Sequence, residues 1–367
     1  MRLAIAILLL LHALIHLLGT AKAFGWTRLD TFTKEVPPYA GLAWGLASGM
    51  LILTIGLYTS RAHYWWMLGL VSLVLSQILI ISYWSDARWG TLPNLLLLVL
   101  ITTGFARFQF AQHSNKLRQE LLQQIARTPD QWSMPADATL PPPVQRWLQR
   151  SGAEQHPPIV AVQLEQDLRM RLQPSQTKWT EGTAQQLFSV DPPRFIWTVD
   201  LMMAPGLPVQ GRDQFRDGQG QMHIRIAGLL PVVNEQKKPT INSASLQRYL
   251  GEIAWFPTAA YSQHITWSAI DDRSARATLS YAGTTDSGVF TFDKRGDLES
   301  FTADRFQKTG PDAQRLPWTI EVLETAAPAG LRIPVRARAH WELPDGRWTW
   351  LQLTITDIRY QTSQPPK

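Results

Sequence analysis

The chain of 367 residues contains no cysteine. Disulfides, thiolate metal sites and cysteine nucleophiles are thereby excluded, and the absence fits either side of a bacterial inner membrane. Local catalytic signatures are missing too: no G-x-S-x-G, no H-E-x-x-H, no phosphate loop, and no G-x-G-x-x-G at a strand–helix junction. Gly218-Gln-Gly220 is a lone G-x-G within a hairpin pattern, and His223, His264 and His340 are scattered. These absences lower the expectation of an enzyme without abolishing it, since acid–base pairs need no local motif. No cofactor and no metal are expected. A basic excess is also absent from most of the chain. Residues 1–127 hold ten Lys+Arg against four Asp+Glu, whereas residues 128–367 hold 25 of each. A nucleic-acid binder would concentrate positive charge on its soluble part, so no nucleic-acid partner is expected.

What is present first is four apolar stretches, residues 3–18, 39–58, 65–84 and 92–106. Crossing the hydrocarbon takes ~20 residues, and somewhat shorter helices are tolerated by snorkelling or thinning. Trp26, Tyr39, Tyr58, Trp65, Trp66, Tyr83, Trp84 and Trp89 mark the ends as interfacial belts do. The sequence therefore predicts a four-span transmembrane bundle over residues 1–107, in a bacterial inner membrane. A cleaved signal peptide ending at Ala21-Lys22-Ala23 is the rival for the first stretch; its long apolar region holds two histidines, which argues against cleavage. Arg2, Arg61, Arg107, Lys116 and Arg118 would share one side, and Lys22, Arg28, Lys34 and Arg88 the other. The larger group favours a cytoplasmic place for the soluble remainder of the chain.

Residues 108–127 read as a polar helical stalk, with Leu117, Leu121 and Leu122 on one side. Residues 128–143 carry Pro129, Pro135, Pro141, Pro142 and Pro143, a linker, and 144–150 a short helix ended by Gly152. The predicted boundaries are thus 108–139 for stalk and linker and 140–367 for a second domain. From Ile159 the pattern turns to period two, with strand patterns at 167–172, 195–199, 222–226, 265–267, 275–279, 289–292, 335–339 and 348–355. Asp217-Gly218, Arg295-Gly296 and Asp345-Gly346 read as hairpin turns. Successive hairpins without βαβ units predict a curved antiparallel sheet, an α+β half-barrel. Ten of the 16 tryptophans lie after residue 127, Trp348 and Trp350 at alternating positions, as in the wall of a concave apolar face. One amphipathic helix, 245–255, interrupts the strands, with Ser243 or Ser245 as cap, Pro257 as stop, and Leu246, Tyr249, Leu250, Ile253 and Phe256 on one face. It is expected to lie across the concave face and plug it.

Leu140-Pro-Pro-Pro-Val-Gln-Arg-Trp-Leu148, Arg248-Tyr-Leu-Gly-Glu-Ile-Ala-Trp-Phe-Pro257 and Trp267-Ser-Ala-Ile-Asp-Asp272 resemble an uncharacterised bacterial family, a domain of unknown function. Leu14-Ile-His-Leu-Leu-Gly19 and Ser82-Tyr-Trp-Ser-Asp-Ala-Arg-Trp-Gly-Thr91 resemble the membrane section that some members carry. The resemblance implies no activity. In outline, a curved sheet with an internal helix is also similar to outer-membrane lipoprotein carriers, which hold acyl chains in such a half-barrel.

Candidate chemistry falls into two groups. His12 and His16 share one face of the first helix; with Asp86, Arg88 and Asn94 they form a candidate membrane polar site, for a ligand, a proton relay or plain interhelical bonding. Gln77 reads as packing glue between helices. Arg248 and Glu252, four apart, either anchor the internal helix or meet a polar ligand end; Tyr249, Trp255, Phe256 and Trp267 are the expected cleft wall. Asp213, Asp271 and Asp272 read as turn residues. The expected function is a non-catalytic module binding a lipid or other apolar ligand at the membrane surface. A redox or hydrolytic enzyme using His12, His16, Asp86 and Arg88 is the alternative, and a scaffold binding an envelope protein a third.

Overall fold

A computed structural model describes residues 2–27, 33–127 and 139–363. Most of the proline-rich linker, including Pro129 and Pro135, and Arg28 of the first loop lie outside the described residues. Contacts divide the chain into two units, Met1–Ala111 with Ala227–Leu229, and Gln112–Ile226 with Leu230–Lys367.

The first unit is built from helices α1 (Arg2–Ala23), α2 (Pro38–Thr59), α3 (Trp65–Ser82), the single turn α4 (Trp84–Ala87) and the start of α5 (Thr91–Arg127). By length and composition, α1, α2, α3 and the 84–127 stretch could each cross a membrane. Their outward residues are apolar as well, Ile15, Leu42, Val71, Ile78 and Val99 all being more than half exposed. Inside, small residues let the helices approach: a Cβ on Gly19 would lie 2.5 Å from the Trp44 ring. α5 runs well past the apolar stretch because residues 105–127 contain no Gly or Pro and are rich in good helix formers.

The second unit carries a 13-stranded curved sheet, antiparallel at every pairing. The strands are β1 (Ile159–Met170), β2 (Thr180–Ser189), β3 (Arg194–Ala204), β4 (Leu207–Arg216), β5 (Gln219–Ile226), β6 (Leu230–Gln236), β7 (Ile265–Ala269), β8 (Ser274–Tyr281), β9 (Thr284–Phe292), β10 (Leu298–Phe306), β11 (Arg315–Ala326), β12 (Ile333–Leu343) and β13 (Gly346–Thr362). Their order is β6-β5-β4-β3-β2-β1-β13-β12-β11-β10-β9-β8-β7. Two meanders therefore meet where the first strand pairs with the last, Leu164 opposite Ile358. The three glycine turns expected from sequence join β4–β5, β9–β10 and β12–β13; Gly218, Gly296 and Gly346 all have positive φ.

Helix α6 (Pro142–Ser151) packs Val144, Trp147 and Leu148 into the main core. Helix α7 (Pro239–Glu252) carries the chain from one sheet edge, β6, to the other, β7. It begins earlier than the capping serines suggested: Pro239 occupies its first position, and Ser243 and Ser245 lie inside it. It also ends before Pro257, in a 3₁₀ turn over Ile253–Trp255.

The expected stalk is not a free spacer. Leu117, Leu121, Leu122 and Ile125 pack on Val160, Leu187 and Ile196, covering the sheet face opposite α7. Arg118 donates to Gln163 and Gln185, and Arg194 to Gln124. A polar helix with an apolar stripe thus covers one face of the sheet.

One carboxylate ties α6 to the sheet. Asp297 accepts from Arg332 at 2.6 and 3.0 Å and from Arg150 at 3.4 Å. The Arg332 hydrogen bonds hold its carboxyl below the usual range. A depressed folded pKa contributes stability that is complete above the unfolded value, about 4, and is lost as pH falls through the folded value. Asp297→Asn should cost about 1–2 kcal/mol at pH 7, discounted because both arginines are partly exposed. Urea midpoints at pH 7 and at pH 3 check this; an equal penalty at both would refute it.

Candidate functional site

Helix α7 has two buried faces, and the difference between them creates the site. Leu246, Tyr249, Leu250, Ile253 and, just beyond, Phe256 point into a dry core with Phe188, Phe195 and Phe290. Ile241, Ala244, Arg248, Gly251 and Glu252, with Trp255 beyond the end, recur at three- and four-residue spacing on another face. That face lines a cavity of about 990 Å³. The helix packs against β4, β5, β8, β9 and β10. It leaves the concave faces of β1, β12 and β13 uncovered there, so it plugs only part of the half-barrel.

The wall opposite is apolar, with Leu168, Met170, Val199, Leu201, Val209 and Leu353 among its residues. Five tryptophans also contribute, Trp197, Trp318, Trp341, Trp348 and Trp350, facing Trp255 on the helix side. Period-two alternation explains why the wall is continuous, because every second residue of each strand faces the same way.

A charged cluster sits in this apolar setting. Arg248 donates to Asp213 at 2.8 Å and to Glu252 at 3.0 Å, and its guanidinium lies 4.6 Å from the Trp197 ring centre. Gln186 donates to the other Glu252 oxygen at 2.8 Å. Burial raises the carboxyls of Asp213 and Glu252 against the pull of Arg248. Burial acts to lower Arg248, but Glu252 and Asp213 outweigh it and hold the guanidinium above its ordinary range. Arg305, on β10, lines the same cavity over the Trp318 ring, 4.4 Å from its centre.

The sequence-selected residues are therefore divided. Arg248, Glu252 and Trp255 line the cavity. Tyr249 and Phe256 do not: they belong to the dry core, where the Tyr249 hydroxyl donates to the Ser189 carbonyl at 3.0 Å. Trp267 packs on Trp147 and Phe290 and donates to the Ala260 carbonyl, away from the cavity. Asp213 is not a turn residue; it lies inside β4, buried and paired with Arg248. Asp271 and Asp272 do lie in the turn between β7 and β8. Arg305, Gln186 and Gln166 were not anticipated, although 301, 303 and 305 alternate inward along β10.

The helical unit holds its own polar network. His12 Nε2 bonds Asn94 Oδ1 at 3.0 Å, and His16 Nε2 bonds Ser76 Oγ at 2.8 Å. His16 Nδ1 donates to the His12 carbonyl at 2.9 Å, and Asn94 Nδ2 donates to Ser76 and Gln77. One arrangement of protons satisfies all of these: His16 protonated at Nδ1, His12 at Nε2, and the Ser76 hydroxyl donating to His16. The two histidines therefore join α1, α3 and α5 through satisfied hydrogen bonds. Asp86 and Arg88 stand apart from them. Asp86 accepts from the Thr33 amide and hydroxyl, and Arg88 lies over the Trp89 ring. Among the described residues Asp86 and Arg88, grouped with the histidines as one candidate site, bond neither to them nor to each other. Among the described residues, no group of three or more His, Asp or Glu is placed to hold a metal.

A sequence-family model, DUF6920, described as a family of unknown function, matches residues 138–360. The chain belongs to this family. The match spans α6, α7 and the sheet except the last two residues of β13, and so includes every residue of the cavity wall. No curated protein matches the chain. Among solved structures it is similar to a LolA superfamily protein from Nitrosomonas europaea, at 12% identity over 62% of this chain and 96% of that one, with a TM-score of 0.33.

Proposed function

We propose that this member of the DUF6920 family holds a lipid or other elongated apolar ligand in the cavity between α7 and the sheet, without catalysis. The four apolar helices would anchor it in a bacterial inner membrane. The observation that carries this reading is the cavity itself. At about 990 Å³ it is at the upper end of the roughly 300–1,000 Å³ typical of small-molecule sites. Leaving so much tryptophan, leucine and valine surface unpacked costs stability that a filled core would regain. A bound apolar chain recovers it. The anchoring half rests on the exposed apolar residues around α1–α3, since a helix apolar on every side suits lipid rather than water.

The full chain should stay in the membrane pellet after an alkaline carbonate wash, and native mass spectrometry should show a bound lipid mass. Ala337→Phe, which thrusts a ring into the cavity from β12, should lower occupancy about tenfold or more while circular dichroism is unchanged. A wild-type protein carrying no lipid, and taking up none when offered, would end the proposal.

A further inference from the structure

Arg305 is a cation in this cavity that its surroundings leave uncommitted. Arg248 is engaged by Asp213 and Glu252, and Arg338 by Glu321. Arg305 is only 9% exposed. Among the described residues its guanidinium makes neither a hydrogen bond nor an ion pair, and Nε is buried with no acceptor. Its direct contacts are the faces of Trp318 and Trp341, at 4.4 and 6.0 Å from the ring centres. Indole faces attract a cation but do not satisfy its five donors. The nearby Trp318 Nε1 is a second buried donor without an acceptor. Burial lowers Arg305 to about 10, so it is still charged at neutral pH. Keeping a charge without a bonded acceptor inside largely apolar walls is expensive, and such groups mark functional sites.

Resting on the ligand reading above, we propose that Arg305 receives the anionic head of an amphiphile, a carboxylate or a phosphate monoester, whose single apolar chain lies along the tryptophan-lined wall. The head supplies the acceptors that Arg305 and Trp318 lack, and the chain fills the space beside Leu168, Val199 and Leu353. A neutral head would bring no charged acceptor to these donors. Asp213 and Glu252 attract Arg305 through space but give their bonds to Arg248, and Glu235, the third carboxylate of the lining, pairs with Lys238.

The test uses the full chain in amphipol and a neutral C18 alcohol bearing a diazirine, photo-crosslinked and located by mass spectrometry. Oleate, oleoyl lysophosphatidic acid and oleyl alcohol then compete at about pH 8, where carboxylates are ionised. Crosslinks should fall on β1, β3 and β13, and the anionic competitors should act at about tenfold lower concentration than oleyl alcohol, as a charge-assisted hydrogen bond requires. Whichever anion competes better identifies the head as carboxylate or phosphate. Arg305→Met should abolish that preference while still crosslinking the neutral probe, which also reports that the variant is folded. Arg305→Lys should restore it in part. Equal competition in the wild type, or an unchanged preference in Arg305→Met, overturns the role of Arg305 and leaves the apolar site standing. No crosslink to the cavity strands overturns both.

Discussion

Arg248→Met is expected to destabilise the β unit by about 3–5 kcal/mol, because it strands two buried carboxylates at once. Asp213 and Glu252 have side chains only 2% and 9% exposed, and Arg248 is their shared partner. Gln186 would still satisfy one Glu252 oxygen, but nothing would replace the bond to Asp213. The loss is of pairing, not of packing, since methionine keeps most of the aliphatic stem against Trp197. The triple variant Arg248→Met, Asp213→Leu, Glu252→Met removes the bonded triad together, leaves Arg305 as a remaining cation of the wall, and should recover part of the stability. Denaturant unfolding followed by tryptophan fluorescence separates the two variants. A single-variant loss below about 1 kcal/mol, or a triple variant no better than the single, would show that the cluster is not coupled in this way.

Phe256→Ala is the second large effect, expected at about 3–5 kcal/mol from lost burial and the void left behind. Phe256 is fully buried, its ring 4.7 Å from that of Phe188 and 5.7 Å from that of Tyr249. The same substitution should leave the affinity for an apolar ligand within about twofold, because Phe256 does not line the cavity. Ala337→Phe has the opposite profile, with little change in stability and a large change in occupancy. Measuring both quantities on both variants tests whether dry core and ligand cavity are separate. A Phe256→Ala protein that stays folded but loses binding would merge them.

Much of the architecture is legible because period and composition are local properties. Apolar stretches of membrane length, the change to period two after residue 159, and Gly218, Gly296 and Gly346 at turns each derive from a few neighbouring residues. Five strands, β2, β4, β6, β10 and β11, are not legible in this way. β4 is covered on both faces, Gln210 and Arg212 on one side and Asp213 on the other, so its sequence shows no clean alternation. Asp213, taken in isolation, reads as a turn residue.

The sequence alone determined that helix, hairpins and apolar segments would form, and that tryptophan would accumulate in one sheet. Only the tertiary structure decided which helix face meets which wall. A one-sided pattern at Leu246, Tyr249, Leu250 and Ile253 is the signature of any helix against any apolar surface, and it led to the dry face. The cavity lies on the other face, where Arg248 pairs with Glu252 of its own helix and with Asp213, which arrives from 35 residues before it. Arg305, 53 residues after Glu252, joins the same wall without a direct partner. Pairings across such separations depend on strand register and on the crossing of α7 from β6 to β7, and no local pattern encodes either.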